Sequence, residues 1–264
     1  MPNRRVGYFH IFKYIVYGLL VYNAYLFFRE DHIASSRLFS DGLGWSSLIQ
    51  GYSASIDTIS WIFLLVIFEL ETDIFPKYQI RHGLKRSLKS VKMLSYLFII
   101  YSFYGYIIKY TLVHDTVPFS SDPCRLIKTS YTYIVTLDQY VPITIEQCQR
   151  LAQSTLYQIN NTQVIGSYSS LMSAQRQVCV DVLTSANWLL IVLILDVEVH
   201  LQVRGVLTHG WTQVSAMIKT LLYSILVINV IYWGVEGSLL SCWDALLWLI
   251  AFVFIELNVL GYRS

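Results

Sequence analysis

Three segments of this chain carry carboxylates at one fixed spacing from a tryptophan: Trp61 with Glu69 and Glu71, Trp188 with Asp196 and Glu198, and Trp248 with Glu256 and the amide Asn258. In each, seven apolar residues separate the tryptophan from the first acid, and one more apolar residue separates the two polar ones. Asp57 and Asp244 stand four residues before their tryptophans, where the middle segment has Thr184. Three other segments begin Lys13-x-x-x-Tyr17, Lys92-x-x-x-Tyr96 and Lys219-x-x-x-Tyr223, and ten residues after each lysine comes Asn23, Ser102 or Asn229. Carboxylates set in apolar surroundings bind cations, relay protons or hold lysines. An unpaired charge in lipid costs roughly 3 kcal/mol or more, so pairing is the expectation. Acids two apart on a helix point nearly opposite ways at about 100° per residue. One can hold a lysine while the other faces a neighbour or an interior ring.

The elements that must position these groups are apolar helices. Of the 264 residues, 55% are hydrophobic, 15% aromatic and 14% charged, with a mean hydropathy of +0.50. A soluble domain carries about 25% charged residues, more than this chain has. Six apolar stretches stand out: Ile11–Phe28, Tyr52–Leu70, Lys92–Ile108, Val180–Leu195, Ile218–Val235 and Leu239–Asn258. Most fit the roughly 17–25 residues of a membrane helix. The second and fourth have shorter apolar cores flanked by Asp57, Glu69, Asp181 and Asp196. The first has a basic start in Arg4 and Arg5, but bulky residues follow it where a signal peptide would offer a small-residue cleavage site.

The expected fold is therefore an all-α integral membrane protein, a six-helix transmembrane bundle. The repeated spacing divides it into three tandem helical hairpins. Residues 1–73 form the first, residues 74–204 the second with an extracytoplasmic insertion at about 110–179, and residues 205–264 the third. Weak internal symmetry of this kind occurs in membrane proteins. Within a hairpin, Lys13 would face Glu69 or Glu71, Lys92 would face Asp196 or Glu198, and Lys219 would face Glu256. Lysine and arginine gather in alternate flanks, at Arg4, Arg5 and Lys13, at 77–92, at Arg204 and Lys219, and at Arg263. By the positive-inside rule both termini are cytoplasmic, in a plasma or inner membrane.

Cys124, Cys148, Cys179 and Cys242 all fall on the side this orientation makes oxidising, where disulfides persist. Cys179 and Cys242 both open a descending helix, which pairs them and leaves Cys124 with Cys148. In the insertion, Tyr131–Leu137 alternates like a strand. Thr144-Ile-Glu-Gln147 resembles a capping box ahead of a helical face made by Ile145, Cys148, Leu151, Thr155 and Ile159. From about Ser169 the pattern runs into the fourth span as one long helix. Asn160-Asn161-Thr162 is a glycosylation acceptor by pattern, meaningful only in a eukaryotic lumen.

A net charge of +2 argues against nucleic-acid binding, which needs a basic face. No phosphate loop, nucleophile elbow or paired-histidine motif points to an enzyme, and no cofactor is expected. His10 and His200 read as interfacial side chains. No proline lies in any span and glycine is sparse there, so the spans read as continuous rods. Such rods suit a non-enzymatic scaffold or accessory subunit of a membrane complex. Its partners would be the lipid bilayer and membrane or extracytoplasmic proteins. The alternative is an ion or proton conduit through a ring of acids at the cytoplasmic ends of the descending helices.

Overall fold

A computed structural model of the chain describes residues 2–38, 51–70, 82–203, 206, 208–236 and 238–261. Helices α1 (Pro2–Leu38), α2 (Ser53–Glu69) and α3 (His82–His114) come first. The strands β1 (Thr116–Phe119), β2 (Thr132–Thr136) and β3 (Gln139–Pro142) follow, then a short helix α4 (Ile145–Leu151) and strands β4 (Leu156–Ile159) and β5 (Val164–Ser167). The chain closes with α5 (Tyr168–Val203), α6 (His209–Glu236) and α7 (Leu239–Gly261).

Among the described residues four helices contain stretches long and apolar enough to cross a membrane: Ile11–Ser36, Arg86–His114, Tyr168–Glu198 and Gly210–Glu236. Leu239–Phe254 of α7 is apolar but shorter, and α2 has 17 residues, about 26 Å at the helical rise. Hydroxyls inside the helices fold back on their own backbone. Ser60 donates to the Ile56 carbonyl at 2.6 Å, Ser95 to Val91 at 3.0 Å and Thr220 to Ala216 at 2.8 Å. This satisfies the buried Ser60 and Ser95, and the exposed Thr220, without a second helix.

The six long helices pack in a ring in chain order: α1 on α2, α2 on α3, α3 on α5, α5 on α6, α6 on α7, and α7 back on α1. Trp61, Leu64 and Leu65 of α2, Trp188, Ile191 and Val192 of α5, and Leu247, Trp248, Ala251 and Phe252 of α7 fill the centre. Polarity is inverted relative to a water-soluble bundle. Lys13 is 1% exposed and Asn23 and Ser102 are fully buried, whereas Leu94, Phe98, Met217 and Ile228 are 50–70% exposed.

The insertion folds into a five-stranded sheet in the order β1-β4-β5-β2-β3, antiparallel except where β2 runs parallel to β5. Pro118 lies in β1, an edge strand, where its missing N–H breaks no interior ladder. One face of the sheet, with Ile134, Leu137, Ile159 and Val164, packs on Val113 of α3 and on Leu171, Ala174 and Val178 of α5. Helix α5 therefore starts under the sheet at Tyr168 and runs unbroken to the far end of the bundle. A Cβ on Gly166 would lie 2.6 Å from Ile134 Cγ2 and 2.8 Å from Leu171 Cγ, so only glycine lets β5 pass this close. The other face is closed by Ile143, Leu151, Leu156 and Ile165 around the Cys124–Cys148 disulfide.

Two local expectations are corrected. The helix that begins with the Thr144–Gln147 capping box stops at Leu151. Thr155 lies beyond it, and Ile159 belongs to β4, because Leu156–Ile159 finds partners on both sides in β1 and β5. The pairing of Cys179 with Cys242 is also overturned, since both are free thiols. Helix α6 packs on both parent helices, α5 and α7, and Cys242 Sγ lies against Gly234 of α6.

Candidate functional site

At the end of the bundle away from the sheet, the described acids are already engaged. Lys13 forms a buried ion pair with Glu69, whose other oxygen accepts from the Tyr17 hydroxyl at 3.3 Å. Glu198 accepts from Lys219 at 3.0 Å and from the Ser215 hydroxyl. Tyr96 donates to Asp196 at 2.7 Å, and the Lys92 ammonium lies 4.3 Å above the Phe68 ring centroid. Lys219 thus reaches the segment before its own, on α5, which is possible because α6 lies between α5 and α7; its expected partner Glu256 has its side chain outside the described residues. Glu71, and the side chains of Glu256, Asn258, His10 and His200, lie outside the described residues.

The three tryptophans meet in the centre. Trp61 lies 6.4 Å from Trp188 and 6.2 Å from Trp248, centroid to centroid, and Phe252 packs 4.5 Å from Trp188. One turn nearer the sheet, the residues four before each tryptophan form a polar layer. Asp57 accepts from the Trp61 indole N–H at 3.0 Å. Asn23 of α1 donates to Asp244 of α7 at 3.2 Å, and Asn229 of α6 donates to Thr184 of α5 at 2.9 Å. The small polar residue ten after each lysine is therefore a bridge between helices at two of its three occurrences. The third, Ser102, is buried with its hydroxyl unpartnered.

Above this layer and beneath the sheet is a cavity of about 230 Å³. All six long helices and the β2–β3 turn line it. Helix α1 supplies Glu30 and Asp31, α2 supplies Asp57, and α5 supplies Asp181 and Ser185. Glu236 and Asp244 come from α6 and α7, and Asp138 comes from the turn. Against these seven carboxylic acids stands, among the described residues, one cation, Lys109 of α3, which pairs with Asp138 at 2.7 Å. Asp31 is held by the backbone N–H of Ser55 at 2.8 Å and by its hydroxyl, and Glu236 by the hydroxyl of Ser173. Among the described residues Glu30 and Asp181 make no hydrogen bond or ion pair. The Ser185 hydroxyl, on a residue 5% exposed, also has none. The roof is fixed from below, because Gln177 of α5 accepts from the Leu137 backbone N–H at 2.9 Å. Tyr140 donates to the Leu137 carbonyl at 2.8 Å, and burial pushes its hydroxyl well above the usual phenol range.

Sequence reasoning placed the polar site at the opposite end. It singled out Asp57 and Asp244 by their spacing, but not Glu30, Asp31, Lys109, Asp138, Asp181 and Ser185 as members of one site. No group of three histidine, cysteine or acidic residues converges as metal ligands among the described residues. The cavity gathers carboxylic acids from several helices over an aromatic floor. The chain matches no family model, no curated protein and no solved structure.

Proposed function

We propose that the protein is a non-enzymatic multi-pass membrane protein that serves as a scaffold or accessory subunit. It has six spans arranged as three tandem hairpins, cytoplasmic termini, and an extracytoplasmic disulfide-closed domain seated on the bundle. The observation that carries this reading is the pairing of buried charge inside an outwardly apolar bundle, at Lys13–Glu69 and Lys219–Glu198. Buried pairs are stable only when both partners stay, so they tie helix to helix. Outward-facing Leu94, Leu97, Phe98, Leu221 and Ile228 suit contact with acyl chains.

A conduit needs acids free to exchange ions and a path between them. Here Glu69 and Glu198 hold lysines, and Trp61, Trp188, Trp248 and Phe252 close the axis. The repeat is supported by the three tryptophans lying together and by the two asparagine bridges one turn above them.

Single-cysteine labelling in a cysteine-free background tests the topology. Positions 85 and 263 should react only from the cytoplasm and position 160 only from outside, and termini on opposite sides would rule out the three-hairpin arrangement. For function, affinity purification with mass spectrometry should recover stoichiometric partners, while protein alone in liposomes should pass no ions. Sustained flux from the protein alone would replace the scaffold by a conduit.

A further inference from the structure

We propose that the cavity beneath the outer sheet is a binding site for a small organic cation, an amine or quaternary ammonium. Its charge would sit among Asp57, Asp181 and Asp244 and its apolar groups on the Trp61, Trp188 and Trp248 rings. The inference rests on the cavity and holds whether or not the chain is a scaffold.

Charge comes first. Among the described residues Lys109 is the one cation lining the cavity, it is paired with Asp138 at 2.7 Å, and the other six carboxylic acids share no second cation there. Asp181 lines the space and makes no hydrogen bond or ion pair among the described residues. Holding an ionised carboxylate away from water without compensation is costly, and a cation entering this space supplies the counter-charge that lets the acids beside it ionise.

The second observation is independent of charge. Ser185 lies four residues after Asp181 on α5, hence on the same helix face. It is 95% buried, lines the same cavity, and its hydroxyl has no partner. A buried hydroxyl without a partner is uncommon in a finished core. It becomes satisfied when an ammonium N–H donates to it or when a ligand hydroxyl pairs with it.

The floor selects the kind of cation. The Trp61 indole N–H is already given to Asp57, so that ring has only its face and far edge left for a ligand. Indole faces attract cations within about 6 Å of the ring centroid, most strongly quaternary ammonium groups. A metal ion wants converging oxygen ligands, and no such convergence exists among the described residues. The volume of about 230 Å³ falls just below the roughly 300 Å³ at which drug-sized pockets begin. It suits a compact organic ion better than a bare metal or a large ligand.

The test uses the full chain purified in detergent and reconstituted in nanodiscs. Tetramethylammonium chloride and choline chloride are titrated against sodium chloride and magnesium chloride at matched ionic strength, with tryptophan emission and melting temperature read together. An ammonium probe should produce a saturable emission change and raise the melting temperature, and neither inorganic salt should. Asp181→Asn should weaken binding about tenfold, the effect of one lost cation–carboxylate contact in a partly solvated site. Ser185→Ala should weaken it by a smaller factor, and the ligand-free melting curve of each variant shows that it is folded. The site is overturned if folded wild-type protein gives no saturable response to either ammonium probe. It is equally overturned if sodium or magnesium matches them, or if folded Asp181→Asn binds as tightly as wild type. Partner recovery is measured separately and is unaffected by any of these results.

Discussion

The Lys109 ammonium of α3 meets the Asp138 carboxylate of the β2–β3 turn at 2.7 Å, the one ion pair among the described residues that joins the outer sheet to the helices. The two ends of this bond are unequal, since the Lys109 side chain is 11% exposed and that of Asp138 39%. Asp138→Asn leaves the lysine beside other acids of the cavity and should cost about 0.5–1 kcal/mol, the range for a partly solvated pair. Lys109→Met removes the one cation that lines the cavity among the described residues and should cost about 2–4 kcal/mol. Melting in detergent checks the order, and equal losses would show that the pair is no more buried at one end than at the other.

Lys13 and Glu69 should be coupled. Glu69→Gln alone leaves Lys13 buried without its counter-charge and should cost about 3 kcal/mol, less whatever the lysine recovers by snorkelling. The double variant Lys13→Gln with Glu69→Gln should restore much of that loss. A double-mutant cycle read by melting isolates the pair, and additive losses would rule the ion pair out.

Coupling at the third lysine should follow its contact with Glu198 on the preceding segment. Lys219→Gln combined with Glu198→Gln should give an interaction energy of about 1–3 kcal/mol in the same kind of cycle. Additive losses here would mean that α6 is not tied to α5 through this pair.

Peptide mapping without reductant should recover Cys124 linked to Cys148, while Cys179 and Cys242 react with alkylating reagent once the protein is denatured. The linked interval of 24 residues stabilises the outer domain by about 3 kcal/mol on the loop-entropy account. A Cys179–Cys242 peptide would restore the pairing that the structure overturns.

Gly166→Ala should destabilise the outer domain by about 1–3 kcal/mol, the usual range for overpacking a closed core. The new methyl would meet Ile134 and Leu171, which are 0% and 4% exposed and have nowhere to move. Hydrogen exchange should locate the loss in β5 and the first turns of α5, and uniform loss across the bundle would contradict it.

The helices were legible because apolar length is a strong signal. The tryptophan layer was legible because Trp61, Trp188 and Trp248 keep the same distance from an acid in three places. What the sequence hid was the cavity. Hydropathy ends the first span at Phe28 and the third at Ile108, directly before Glu30, Asp31 and Lys109. In the structure those helices continue to Leu38 and His114 and carry the charges inward. A polar residue facing an interior cavity and one marking the end of a span look identical along the chain. The sheet was hidden for a different reason: β1, β3, β4 and β5 are four residues each, too short for alternation to register. The Cys179–Cys242 pairing failed because it assumed that two helix starts sharing one end of the bundle are neighbours, and sequence spacing carries no information about which helix packs on which.

The tryptophan floor has a consequence for the route into the cavity. Below it, Leu64, Ile191 and Ala251 are at most 1% exposed, so the space above is a well with a bottom and not a bore. In a membrane-spanning bundle such a well exchanges with one compartment only. A guest in such a well would leave by the mouth it entered, and a charged one would cross that fraction of the membrane voltage which falls over the well's depth.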